Sequence, residues 1–304
     1  MFKYLALLFS YKALSWLPAG AAYAIADFVG TVMYYLRGGL RRNVQRNMRQ
    51  VMGPDADPKK VRAAARQVMR NAARYYADLV RLPRLDIKQF YSERVSVVGG
   101  LDLLQDAMAA GRGVILASAH YGNPEIVVQA AVAVGIEAFA ITEPLYPPRL
   151  SELVQRLRES QGQVFRPLSL SAMREAIRWL RNGKVVPLLC DRAIQNTGMV
   201  LPFCGAETRM PVGATELALR TGALVMPMFC RRVKGGRFEV YSEPPMEMVT
   251  TGNQEEDIRS NTLRILAFLE RFLRQDPGQW VVLESIWEQP DGAKPDGDSL
   301  RGEE

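Results

Sequence analysis

His120 is the only histidine in a chain of 304 residues, and a carboxylate, Glu125, follows it five positions later. Imidazole is the one side chain whose ordinary titration falls near neutrality. A carboxylate against one ring nitrogen fixes the tautomer and makes the other nitrogen a better base, which is what removal of an alcohol proton requires. The pair therefore suits a base poised for hydroxyl attack, with His120 as base and Glu125 as its orienter. It equally suits a satisfied structural histidine beside a favourable acidic charge at a helix N-terminus. Spacing alone does not separate the two readings.

The elements around the pair favour the first reading. Val114-Ile-Leu-Ala-Ser-Ala-His120-Tyr-Gly-Asn-Pro-Glu125 reads as a buried strand, a tight turn and a helix, with Asn123 as N-cap and Pro124 at the first helical position. His120 then stands at the carboxyl end of a strand, where open α/β sheets place their ligand crevices. Further β-rich runs at 138–142, 162–165, 185–190, 224–230 and 238–241 alternate with helical patterns, among them 150–157, 173–180, 216–220 and 255–274. This alternation predicts an α/β fold with a mostly parallel central sheet flanked by helices. Glu143, Arg166, Asp191, Arg192, Arg231 and Arg232 stand at or just beyond the ends of these runs. They are expected to converge on the edge that carries His120, where arginines suit a phosphate or a phosphopantetheine arm.

The first hundred residues are mainly helical, with Asp57-Pro58 as a helix start and Val61, Val68, Met69, Ala72, Tyr76 and Leu79 at helical spacing. The stretch 13–36 is apolar enough to approach a bilayer core of ~30 Å, but Pro18, Gly20 and Asp27 suit a helix lying in the interface almost as well. Arg37, Arg41, Arg42, Arg46 and Arg49 follow directly. An apolar run abutting an arginine cluster predicts an N-terminal membrane-associated helical segment, on the cytoplasmic face and drawn to anionic head groups. The expected organisation is a membrane-associating segment over 1–50, a catalytic α/β domain over 51–288 and a disordered tail over 289–304, which is rich in Pro, Gly, Asp and Glu.

A net charge of +7 suits an anionic partner. Basic residues clustered beside an apolar terminus, with no aromatic interleaving, argue against nucleic acid. Cys190, Cys204 and Cys230 have neither disulfide nor zinc spacing, and a single histidine rules out a multi-histidine metal centre. No nucleotide motif is present, so no cofactor is expected beyond a co-substrate.

These residues resemble the bacterial lipid A acyltransferases and the related phosphatidylinositol mannoside acyltransferases, over about residues 41–287. His120-Tyr-Gly-Asn-Pro-Glu125 is similar to the family's His-x-Gly-Asn-Trp-Glu/Asp box, an H(X)4D/E motif. Arg158-Glu-Ser-Gln-Gly162 resembles its Arg-x-x-x-Gly element. Asp191-Arg192, Phe203-Cys-Gly205, Thr208-Arg-Met-Pro211-Val-Gly213 and Pro277-Gly-Gln-Trp280 resemble later blocks in the same order. Pro124 and Cys204 depart from the usual Trp and Phe, and Asp191-Arg192 looks closer to the mannoside branch.

The resemblance implies an O-acyltransferase with His120 and Glu125 catalytic. Asn123, Glu143, Arg158, Arg166, Asp191, Arg192, Gly205 and Thr208 are then expected at the substrate. It implies direct transfer from an acyl thioester, acyl-CoA or acyl carrier protein, to a hydroxyl of a membrane glycolipid, with donors near the turn stabilising the oxyanion. A lysophospholipid acceptor, or a non-catalytic lipid-binding role on the same fold, are the alternatives.

Overall fold

The computed structural model describes residues 2–194 and 197–287; the expected tail over 289–304 lies outside the described residues. Four helices open the chain: α1 (Phe2–Leu14), α2 (Ala19–Leu36), α3 (Gly38–Met52) and α4 (Pro58–Arg81). The break between α1 and α2 falls at Pro18, which cannot continue a helix. Among the described residues no helix is long and apolar enough to cross a membrane. α4 starts where expected, with the Asp57 side chain accepting from the Lys59 amide at 2.8 Å. Of the residues expected on its inner face, Tyr76 instead points out and is 54% exposed.

The α/β region follows as α5 (Ile87–Arg94), β1 (Val95–Val97), α6 (Leu101–Ala109), β2 (Val114–Ser118), α7 (Pro124–Ala130), β3 (Phe139–Thr142), α8 (Pro148–Glu159), β4 (Val164–Pro167), α9 (Leu170–Arg181) and β5 (Val185–Leu189). It continues as β6 (Met199–Phe203), β7 (Ala206–Met210), α10 (Gly213–Thr221), β8 (Leu224–Val233), β9 (Arg237–Ser242) and α11 (Gln254–Gln275). The main sheet runs β1-β9-β8-β2-β5. β2 lies parallel to both β5 and β8, β1 is parallel to β9, and only β8–β9 is antiparallel. The parallel pair β3–β4 joins it through an Ala138–Val185 bridge. The mixed α/β class with a mostly parallel sheet is thus as the sequence predicts. β1 and the antiparallel β6–β7 hairpin are additions.

β2 is buried at all five positions, as a central parallel strand must be. Its residues alternate between two cores: Ile115 and Ala117 face one with α3, α4 and α9 to α11, while Val114 and Leu116 face the other with α6, α7 and α8. Helices on both faces pin the sheet, and the strand ends are left to carry polar groups.

Candidate active site

β2 and β5 pair in the register Ser118–Leu189, so His120 and Asp191, each two residues further on, meet beyond the strand ends. His120 Nδ1 lies 2.9 Å from Asp191 Oδ1 and 3.1 Å from Oδ2. The His120 amide donates to Oδ2 at 3.0 Å, and Trp280 Nε1 donates to the same oxygen at 2.7 Å. Burial by itself would raise the Asp191 carboxyl. The His120 charge and the hydrogen bonds from its ring, Trp280 and the His120 amide outweigh it and hold the group below the usual carboxylate range. An ionised carboxylate only accepts, so in the neutral imidazole the facing nitrogen Nδ1 carries the ring proton and leaves the lone pair on Nε2. The Asp191 side chain is sealed at 0% exposure whereas that of His120 is 30% exposed. The carboxylate is dry and the imidazole is reachable.

The carboxy-terminal segment clamps this turn from behind. The Val281 amide donates to the His120 carbonyl at 2.7 Å and the Gly122 amide to the Gln279 carbonyl at 2.8 Å. That segment is held by two buried asparagines of the N-terminal helices, Asn47 on the Val282 and Glu284 carbonyls and Asn71 on the Gly278 carbonyl. Trp280 packs edge-on against Phe203 and Trp287, so the β6–β7 hairpin supports the donor that reaches Asp191. Gly122 has φ +68, and a Cβ there would sit 1.9 Å from the Cys230 carbonyl oxygen. Only glycine lets the turn lie this close to β8.

Glu125 does not fold back onto the imidazole. Its Oε2 accepts from Arg158 Nε at 3.0 Å and from the Tyr75 hydroxyl, and Arg158 Nη2 donates to that same hydroxyl at 2.9 Å. The physical reason is the direction of α7: Asn123 caps it, accepting from the Ile126 amide at 3.1 Å, and the first turn then presents Glu125 to α4 and α8. Burial and the Glu125 carboxylate push the Tyr75 phenol far above its ordinary value against the opposing effect of Arg158, so it remains a donor. Arg158 Nε and Nη2 are thereby committed, and its guanidinium borders a cleft with Thr142, Glu143, Leu145 and Phe165.

The remaining expected residues divide. Arg192 Nη2 bonds Glu143 Oε2 at 2.5 Å across the ends of β3 and β5, so these two share the edge with His120 and Asp191. Arg166 pairs with Glu159 at 2.5 Å, half-exposed. Gly205 forms the β6–β7 turn with φ +84, and the Thr208 hydroxyl donates to the Ile286 carbonyl; both serve the hairpin's packing. Arg231 and Arg232 lie inside β8 rather than past it. Arg231 pairs with Glu239 on β9, and Arg232 with Asp78 on α4.

Three of the turn amides are also committed: His120 to Asp191, Tyr121 to the Ala119 carbonyl and Gly122 to the Gln279 carbonyl. The expected oxyanion donors near the turn are therefore not these three N–H groups. The three cysteines are buried and each thiol is pushed up to about 12, chiefly by that burial, which leaves them protonated and poor nucleophiles.

Sequence reasoning placed Asp191 at the substrate and missed its bond to His120; Trp280 and Tyr75 were missed altogether as parts of the site. The available signal for Asp191 was that both it and His120 stand within two residues past a β-rich run.

A family model for bacterial lipid A biosynthesis acyltransferases matches residues 2–289. A phosphatidylinositol mannoside acyltransferase of Mycobacterium tuberculosis is 31% identical over 260 residues, covering 84% of this chain and 79% of its own length. One from Mycolicibacterium smegmatis is 28% identical over 272 residues, covering 88% of this chain and 86% of its own. With the match spanning helices, sheet and site together, this chain belongs to the bacterial lipid A biosynthesis acyltransferase family, whose members transfer acyl groups.

Proposed function

We propose that this chain transfers a fatty acyl group from an acyl thioester to a hydroxyl of a membrane glycolipid of the phosphatidylinositol mannoside type. The observation that carries the reading is the His120–Asp191 pair, with Nδ1 tied to a sealed carboxylate and Nε2 open to a substrate. The acceptor hydroxyl gives its proton to Nε2 as its oxygen attacks the thioester carbonyl. The tetrahedral oxyanion collapses, the C–S bond breaks, and the departing sulfur takes the proton from Nε2. Ester and thiol are the products, and no acyl-enzyme forms. Arg158, steered by Glu125 and Tyr75 to the cleft beside Glu143, is the donor available to the developing oxyanion or to the thioester's phosphate groups. The acceptor class rests on the mannoside acyltransferases that the chain resembles.

The site works at a membrane surface on this reading. α2 is inverted for a soluble helix. Its small residues Ala22, Ala26 and Gly30 face inward, and Gly30 sits so close to α4 that a Cβ would lie 2.5 Å from the Met69 carbonyl oxygen. Ile25, Phe28, Val29 and Leu36 face out, as do Phe9 and Trp16 before them. Arg84 stacks on Trp16 with 3.4 Å to the ring centroid, and Arg37 to Arg49 follow. Large apolar side chains bordered by arginines fit an anionic bilayer interface.

The test is transfer of labelled acyl chain from a thioester to membrane lipid by wild type and by His120→Ala. Loss of transfer in the variant is expected. Equal transfer by both would overturn His120 as the base, and no transfer by either would favour a lipid-binding protein without catalysis.

A further inference from the structure

Tyr23 lies on α2, the helix with the outward apolar face, yet its hydroxyl points inward and donates to Asp78 Oδ1 at 2.6 Å. Asp78, on α4, is buried at 5% exposure. Its other oxygen accepts from Asn123 Nδ2 at 2.8 Å and from Arg232 Nη2 at 2.5 Å. Asn123 spends its own oxygen on the Ile126 amide, so this one side chain both caps α7 and closes the turn that begins at His120. The Tyr23 ring also covers the Arg232 guanidinium at 5.2 Å. Arg232 Nε and Nη1 have no hydrogen-bond partner among the described residues, which makes that ring contact part of how the cation is tolerated.

Anchoring α2 does not require this arrangement. Asp27 already grips Arg74 through two hydrogen bonds of 2.5 and 2.6 Å, and Arg70 Nε bonds Thr31 at 2.9 Å. Only the Tyr23 hydroxyl is directed to the carboxylate that α2 shares with the catalytic turn.

We propose that Tyr23 is a positioning residue: through Asp78 it fixes Asn123 and so aims His120, which makes the surface helix α2 part of the active site's frame. Without the hydroxyl, Asp78 Oδ1 loses its donor and the carboxylate rotates toward Arg232 and Asn123. The Asn123 amide group follows, and the turn shifts with it. Misplacement of a reacting group by even a fraction of an ångström costs turnover far more than binding.

The proposal rests on the acyltransfer reading, and the experiment separates the two. Wild type, Tyr23→Phe, Tyr34→Phe and His120→Ala are assayed for transfer from acyl-CoA to a glycolipid acceptor in detergent micelles, where vesicle docking does not limit the rate. Tyr34 is the control: it is also on α2, and its hydroxyl accepts from Gln45 Nε2 at 2.7 Å, away from the turn. Tyr23→Phe is expected to lower kcat roughly 10-fold with KM within about twofold, while Tyr34→Phe leaves both within about twofold. Melting temperatures measured alongside identify simple loss of fold. With His120→Ala inactive, a Tyr23→Phe kcat equal to that of Tyr34→Phe overturns the positioning role alone. Equal transfer by wild type and His120→Ala overturns both readings.

Discussion

Asp191→Asn is the perturbation that bears hardest on the site. Three donors converge on the native carboxylate: His120 Nδ1, the His120 amide and Trp280 Nε1. Asparagine offers one oxygen and an NH2 group, so it cannot accept all three. The arrangement that loses least puts the oxygen where Oδ2 stands, serving Trp280 and the His120 amide, and turns the NH2 toward Nδ1. Nδ1 must then accept, the ring proton moves to Nε2, and the base is occupied. The loss of the correct tautomer in hydrolytic triads lowers kcat by about 10⁴, and a drop of roughly 10³–10⁴ is expected here, about 4–5.5 kcal/mol of barrier at 1.36 kcal/mol per tenfold. KM should move little. Initial rates of thioester-to-lipid transfer measure this, with melting curves to confirm the fold. Glu125→Gln retains an oxygen for Arg158 and Tyr75, so its loss should be about 10-fold. An Asp191→Asn enzyme within about threefold of wild type, or more active than Glu125→Gln, would refute the assignment of Asp191 as orienter.

The depressed Asp191 titration gives a stability signature with a definite sign. Its stabilising contribution is complete above the unfolded-state value of about 3.9 and disappears as pH falls through the lower folded value; urea melts of wild type against Asp191→Asn should therefore converge on acidification below about pH 4 and differ most above it. Gly122→Ala drives a methyl into the Cys230 carbonyl, and a loss of at least about 100-fold in kcat is expected from the displaced turn, read in the same transfer assay. Phe9→Ser, Trp16→Ser and Phe28→Ser together should weaken sedimentation with anionic vesicles on the order of 100-fold, at ~1 kcal/mol for each partly inserted side chain. The detergent-micelle kcat should be unchanged.

Local signals were legible in the sequence, and long-range pairing was not. The strand-turn-helix around His120 follows from a buried apolar run, Gly122 and an Asn-Pro helix start, all within twelve residues. The caps at Asp57 and Asn123 and the helices α8, α9 and α11 came from the same kind of local pattern. The His120–Asp191 contact did not, because Asp191 stands 71 positions from His120 and reaches it only because β2 and β5 are neighbours in register. Glu125 was close in sequence and far in direction, since the cap that starts α7 also turns its first residues toward Tyr75 and Arg158. Tyr75 and Tyr76 show how fine this limit is: helical spacing put Tyr76 inside, and a rotation of one residue exposes it and sends Tyr75 to the site. The β6–β7 hairpin was read as a run of family blocks. Its strands alternate between buried and exposed positions, with Leu201, Phe203, Thr208 and Met210 inside, but Pro202 within the first run argues against a strand there.

The most direct test of the His120 assignment uses its being the only histidine in the chain. In protein labelled with 15N-histidine, the two ring nitrogens can be read without assignment work, in the neutral imidazole. The His120–Asp191 contact predicts the Nδ1-protonated tautomer with a bare Nε2, converted to the Nε2-protonated form by Asp191→Asn and left alone by Glu125→Gln. A wild-type ring protonated at Nε2, or one whose tautomer responds to Glu125→Gln and not to Asp191→Asn, would contradict it.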